Sequence, residues 1–190
     1  MKMVIILAIL LVLVGGCSIV QESPSVPTIN ATPTISGIQE LVLNEQDLQQ
    51  LGMSNGTNCL TDEEYTNIVD SSQGQYVICV YTLPSLNDTQ IIIELQKFAN
   101  LEALNGTYQY SSLHLYSIEG LISENVYGDQ SRFRVNNEHD YGGQYNEPNV
   151  YYYHLWICKD LYIIHITSKG SMEAEEYIAK IGQRILSKFG

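Results

Sequence analysis

Two runs near the C-terminus, Val150 to Cys158 (VYYYHLWIC) and Leu161 to Ser168 (LYIIHITS), limit the folds open to this chain more than any other feature. Both are dense in β-branched and aromatic residues, and only Lys159-Asp160 separates them. Such runs read as strands, and so short a connection makes them an antiparallel hairpin. A parallel pair would need a crossover of a dozen or more residues. If Lys159-Asp160 is the two-residue turn, Cys158 faces Leu161, Trp156 faces Ile163 and His154 faces His165. Both imidazoles then share one face, with Cβ atoms about 5 Å apart.

A second hairpin is expected upstream, from Gln75 to Leu83 and Thr89 to Leu95, turning at Pro84 to Asp88. Ile38 to Leu43 reads as a first strand. Asn44, with Asp47 three residues on, is the start of a short helix that ends at Leu51 before Gly52. Phe98, Leu101, Leu104 and Tyr108 recur at helical spacing, with Gly106 as a stop. Leu113 to Ile118, Leu121 to Tyr127 and Ser131 to Val135 are further strands. Ser171 reads as the cap of a terminal helix whose apolar face is Ala174, Ile178, Ile181 and Ile185. Glu173, Glu175 and Glu176 near its start and Lys180, Arg184 and Lys188 towards its end suit the helix dipole. The order is strands, a helix, more strands, then a helix. That is α+β, a mainly antiparallel sheet covered by a middle helix and a C-terminal helix.

The stretch from Phe98 to Ala103, the turn Gly128-Asp129-Gln130-Ser131, the run Trp156 to Ile164 and the terminal helix together resemble small lipoproteins of unknown function with a PsbP-like α/β/α sandwich. The resemblance covers roughly residues 38–190. It implies the fold and carries no functional residues with it.

The N-terminus reads differently. Met1-Lys2 is followed by an apolar run from Met3 to Val14, two glycines and Cys17. A basic start, a short apolar core and small residues before a cut site make an export signal. The run is shorter than the ~20 residues that span a bilayer. Val14-Gly15-Gly16-Cys17 resembles a lipobox, with Val14 where Leu is commoner. The resemblance implies cleavage after residue 16 and a lipid on Cys17. Residues 18–37 are rich in Pro, Ser and Thr, without periodicity, and read as a tether. The expected organisation is a signal peptide over 1–16, a lipidated Cys17 with its tether over 17–37, and one domain over 38–190. The expected location is outside the cytoplasm, attached to the membrane through the lipid.

The formal charge is −12, and loss of the signal also removes Lys2. Such a field repels nucleic-acid phosphates and anionic headgroups, so neither nucleic acid nor a membrane surface is an expected electrostatic partner. Three cysteines follow Cys17, so at most one intramolecular disulfide forms. Cys59, after the SNGTN loop, and Cys79, in a strand, are the expected pair. Closing that loop is worth about 3 kcal/mol in the chain-entropy model. Cys158 is then a buried thiol, and no histidine is evidently paired with it as for a nucleophile. Asn-x-Ser/Thr sequons at Asn30, Asn55, Asn87 and Asn105 are candidate glycosylation sites in tether, loop or helix-end positions.

The chain contains no glycine-rich phosphate loop, nucleophile elbow, His-Glu-x-x-His or Cys-x-x-Cys. Two places remain for chemistry. His154 and His165 can share a Zn or Cu ion if a third ligand is found, or form an ordinary cross-strand pair. The polar run 136–149 offers Glu138, His139, Asp140, Tyr141 and Tyr145 for a sugar, peptide or other ligand, or is a solvated loop. In Tyr151-Tyr152-Tyr153, strand alternation sets Tyr152 on the face opposite its neighbours. The expected function is a noncatalytic binding or envelope-structural domain, with a surface protein or glycan as partner. The alternative is a hydrolytic or metal-dependent enzyme using the histidine pair and the 136–149 loop.

Overall fold

The computed structural model describes residues 35–55, 59–61, 75–113, 120–136 and 149–190. A short helix α1 (Glu45–Leu51) leads into two short strands, β1 (Ser54–Asn55) and β2 (Leu60–Thr61). The long hairpin β3 (Gln75–Leu83) and β4 (Thr89–Lys97) follows, then helix α2 (Leu101–Leu113). Strands β5 (Leu121–Glu124), β6 (Gln130–Asn136), β7 (Tyr151–Lys159) and β8 (Tyr162–Gly170) precede the terminal helix α3 (Ala174–Leu186). All described strands join one antiparallel sheet in the order β1-β3-β4-β8-β7-β6-β5, with β2 also on β3. This is the α+β class that the strand and helix patterns predict.

Alternation divides the sheet into two faces. On one, Val77, Ile91, Ile93, Leu155, Ile164 and Ile166 pack against Ile178, Ile181 and Ile185 of α3. The other carries Glu94, His154, His165 and Trp156, and α2 covers part of it. Phe98, Leu104 and Tyr108 meet Trp156, Cys158 and Ile163 there in a second, smaller apolar cluster.

Several local expectations need correction. Ile38 to Leu43 is not a strand, because Ile38–Leu41 forms a 3₁₀ turn. Ile38 and Leu41 are both buried, and three-residue spacing places them on one side of such a turn. Helix α2 runs through Gly106 to Leu113. Asn100 starts it by accepting from the Ala103 amide at 2.9 Å, and buried Tyr108 and Ser112 lie beyond the glycine. Leu101, expected on the apolar face, is 59% exposed. Ser171 is not the N-cap of α3; that position is Glu173, and Ser171 belongs to the preceding turn. The proposed strand at Leu113 to Ile118 falls largely outside the described residues.

The turn of the last hairpin moves by one position at each strand. Lys159 pairs with Tyr162, so Asp160-Leu161 is the turn and Asp160 adopts φ 53°. Aspartate tolerates this left-handed region better than most residues. A distant group fixes the choice: the Asp129 carboxylate accepts from the Asp160 amide at 2.8 Å and from Lys159 Nζ at 2.9 Å. Trp156 therefore faces His165, and His154 faces Thr167. The two histidines are diagonal, not directly opposed. The displacement is two residues in pairing, so both keep their face.

Cys59 and Cys79 form a disulfide that closes a separation of 20 residues, and Cys158 is a buried free thiol. Replacing Cys59 and Cys79 together by Ala is expected to lower stability by about 3 kcal/mol. Urea denaturation of both proteins measures this. Reductant should then weaken the parent and leave the double variant unchanged.

Candidate functional site

The site lies on the half-covered face, where β4, β8 and β7 run side by side. Strand β4 (TQIIIELQK) alternates apolar and polar residues, and Glu94 occupies a polar position facing α2. The sheet register sets Glu94 beside His165 and His165 beside Trp156. Glu94 Oε2 binds His165 Nδ1 at 2.5 Å, and Tyr76 on β3 donates to Glu94 Oε1 at 2.6 Å. The far nitrogen of His165, Nε2, lies 3.2 Å from His154 Nδ1 and 3.2 Å from Thr167 Oγ1. A polar line thus crosses four strands, from Tyr76 through Glu94 and His165 to His154.

Trp156, the chain's one tryptophan, stacks on both imidazoles. Its ring centroid is 4.3 Å from that of His165, with 6° between the planes. The pair of histidines is therefore a rigid, aromatic-walled unit, not two mobile surface rings.

Burial and charge act in opposite senses on these groups. Burial raises the Glu94 pKa, but the hydrogen bond and charge of His165, with the Tyr76 hydroxyl, outweigh it and hold Glu94 at about 2. Burial, then His165, push His154 down to about 3, against the pull of Glu94. Glu94 is an anion and His154 a neutral imidazole at neutral pH. Burial raises the Cys158 thiol to about 12, so it is not a ready nucleophile.

A cleft of about 230 Å³ opens onto this line between α2 and the sheet. Glu94, Gln96, Thr107, Ser111 and His165 supply polar groups to its wall, and Trp156 and Ile163 supply apolar surface. Thr167, His165 and Glu94 also follow the order hydroxyl, imidazole, carboxylate of an acyl-transfer triad. The backbone argues against that chemistry. Strand β8 is laddered to β4 on one side and β7 on the other, so its amides are committed to the sheet. The β8 amides flanking Thr167 are therefore not free to stabilise an oxyanion.

The structure brings His154 and His165 together and adds Glu94 and Tyr76, which the sequence reading missed. Among the described residues, no group of three or more His, Cys, Asp or Glu side chains is arranged as a metal site. Glu138, His139, Asp140, Tyr141 and Tyr145 lie outside the described residues, as do Cys17 and Asn30. Asn55 ends β1 instead of lying in a loop. Asn87 is exposed at the β3–β4 turn with φ 52°, and its sequon partner Thr89 is buried and bonded to Leu86 O. Asn105 is exposed within α2, not at its end. Tyr153 faces the main core, and Tyr152 lies on the other face beneath Lys169 Nζ, 5.7 Å from the ring centroid.

No family model and no curated protein matches the chain. Among solved structures, it is similar to the extracellular domain of PknH from Mycobacterium tuberculosis, with a TM-score of 0.44 and 10% identity, over 78% of this chain and 94% of that one. A likeness of that size carries no function across.

Proposed function

We propose that this chain is an exported lipoprotein, anchored through Cys17, whose domain is a noncatalytic binding module outside the cytoplasm. The observation that supports binding is the cleft under α2. It joins a fixed anion, Glu94, and the polar groups of Gln96, Thr107 and Ser111 to the apolar surface of Trp156 and Ile163. Ligand sites combine apolar walls with a few placed polar groups in this way. Its size suits a small polar ligand or one side chain or sugar of a larger partner. The Cys59–Cys79 disulfide supports an oxidising compartment. The lipobox and tether support the anchor.

A thermal-shift screen of sugars, amino acids and short peptides tests the binding reading, because a ligand of the native state raises the melting temperature with concentration. Ser111 is partly exposed at the cleft wall, so Ser111→Trp should fill the cleft with little loss of stability. It should abolish a ligand-dependent shift seen in the parent. A shift that persists in Ser111→Trp would place binding elsewhere. Mass spectrometry of the membrane-extracted protein tests the anchor, with an acylated Cys17 as first residue expected and an intact Met1 contradicting it.

A further inference from the structure

Among the described residues that line the cleft under α2, Glu94 is the only acid, and there is no lysine or arginine. Two cross-strand pairs form the floor: Glu94 beside His165, and Gln96 beside Ile163. Thr107 and Ser111, four residues apart on one side of α2, face them. The basic residues nearby are engaged elsewhere. Arg132, across Trp156 on β6, pairs with Glu124 at 2.8 Å and donates to Ser112 at 2.6 Å. Lys97 lies over the Tyr162 ring and donates to Ser36 O. We infer that the cleft takes a primary ammonium group on a short carbon chain, held by Glu94 and the oxygens of Gln96, Thr107 and Ser111. The inference rests on the binding reading above and names the chemical class of the ligand.

Glu94 Oε1 accepts from Tyr76, and Oε2 binds His165 Nδ1. A carboxylate has about four acceptor sites, so each oxygen keeps a second one. The Glu94 side chain is 29% exposed, which leaves those sites open to the cleft. A guanidinium forks onto both oxygens of a carboxylate at once. Each Glu94 oxygen already holds a different neighbour, which disfavours that fork. An ammonium is instead a compact charge whose three donors can reach separate acceptors. Gln96, Thr107 and Ser111 offer such acceptors, and among the described residues none of these side chains is held in another hydrogen bond. An anionic ligand would meet Glu94 with no lysine or arginine to balance it. Ile163 and Trp156 supply apolar surface for the ligand's carbons, and about 230 Å³ admits a short chain. Glu94, held at about 2, and an alkylamine, with a pKa of about 10.4, are both charged at neutral pH. The formal charge of −12 further concentrates cations at the surface of the chain.

Trp156 lines the cleft and is the only tryptophan, so its emission reports occupancy. The purified full-length protein is titrated at neutral pH and low salt with pentylamine and with Nα-acetyl-lysine N-methylamide. The matched neutral probes are pentanol and Nα-acetyl-norleucine N-methylamide. Emission and melting temperature are followed in parallel. A saturable change is expected with an ammonium probe, at an affinity about tenfold or more above that of its neutral match. A response to pentylamine alone identifies a free amine as the source, and a response to the blocked lysine alone identifies a side chain of a partner protein. Glu94→Gln should abolish the preference for charge. Glu102→Gln, which removes an exposed acid of α2 outside the cleft wall, should keep it and so separates Glu94 from overall charge. The matched probes read the charge preference on the parent protein, so the test stands even if Glu94→Gln does not fold. Equal binding of charged and neutral probes would overturn the inference, as would a preference that survives in folded Glu94→Gln. Binding of sugars or neutral peptides that Ser111→Trp blocks, with both amines inert, would overturn it and leave the binding reading standing. Silence toward every charged and neutral probe would remove that reading as well.

Discussion

Asp47→Ala should lower the stability of the domain by about 3–5 kcal/mol, the usual cost of removing one partner from a buried ion pair. For a domain of this size that is a fall of about 10 °C or more in melting temperature. Asp47 has no exposed surface. Its Oδ1 receives Arg184 Nε at 2.6 Å and lies 2.5 Å from Nη2; Oδ2 receives Lys188 Nζ at 2.9 Å and the Asn44 amide at 3.0 Å. The Asp47 amide in turn donates to Asn44 Oδ1 at 2.9 Å, which completes a capping box on α1. One carboxylate therefore starts α1 and ties it to α3. Its removal leaves Lys188, 15% exposed, without a counter-charge at the edge of the core, while Arg184, 36% exposed, can turn to water. Asp47→Asn keeps much of the cap and should lie between the two. Replacing Asp47, Arg184 and Lys188 together by Leu, Met and Met should cost less than Asp47→Ala, since no charge is then left without its partner. Denaturant titration of the four proteins measures this.

The same carboxylate gives the domain an acid limit. Burial raises its pKa, but the Asn44 amide, Lys188 and Arg184 outweigh burial and hold it below the ordinary 3.8. A group with a depressed folded pKa stabilises fully above its unfolded value and loses that contribution as pH falls through the folded one. Between 3.8 and that lower value the unfolded chain binds the additional proton, so stability falls with pH in that window. Glu94, held at about 2 against an ordinary 4.5, acts in the same sense. Asp47→Asn should therefore flatten, without abolishing, the decline in stability below pH 4.5 seen by circular dichroism.

How much of this was legible in the sequence follows from the range of each interaction. Asn44 and Asp47 are three residues apart, and their capping box is a local pattern. The strands 75–83 and 151–159 announce themselves through continuous β-branched and aromatic residues, because interior strands are buried on one face and flanked on both sides. The register of the last hairpin was not legible, since Asp129, some thirty residues away, holds the turn. Glu94 was missed for a related reason: it is one polar residue in the alternation of β4, and only the order β3-β4-β8-β7 brings it to His165. Ile38 and Leu41 misled because two apolar residues three apart fit a ragged strand as well as a 3₁₀ turn. A cluster made by four strands exists only once they are paired, so local periodicity cannot contain it.

Gly128→Ala tests the long-range anchor directly, and should cost about 3 kcal/mol or more. Gly128 adopts φ +58°, and a Cβ there would stand 2.4 Å from the Cys158 carbonyl oxygen and 2.7 Å from Ile157 Cγ2. The left-handed backbone alone disfavours an L-residue by about 1–2 kcal/mol. The clash is with backbone, which cannot rotate aside, so forcing the extra carbon in adds about 1–3 kcal/mol. Relief requires the chain to retreat from β7, and retreat breaks the Asp129 amide bond to Cys158 O, 2.8 Å long, that sits beside it. The Asp129 carboxylate then leaves Lys159 and Asp160, and the β7–β8 turn loses its external support. Gly52→Ala is the control. Gly52 also has a left-handed backbone, φ +65°, but an added Cβ meets nothing within 4 Å. It should show the conformational cost alone, about 1–2 kcal/mol. The difference between the two variants in urea isolates the steric part. Equal losses would mean that the Gly128 segment moves away from β7 freely, and that Asp129 does not set the hairpin register. Loss of protection at the Asp160 amide in hydrogen exchange, seen in Gly128→Ala and not in Gly52→Ala, would locate the damage at the turn.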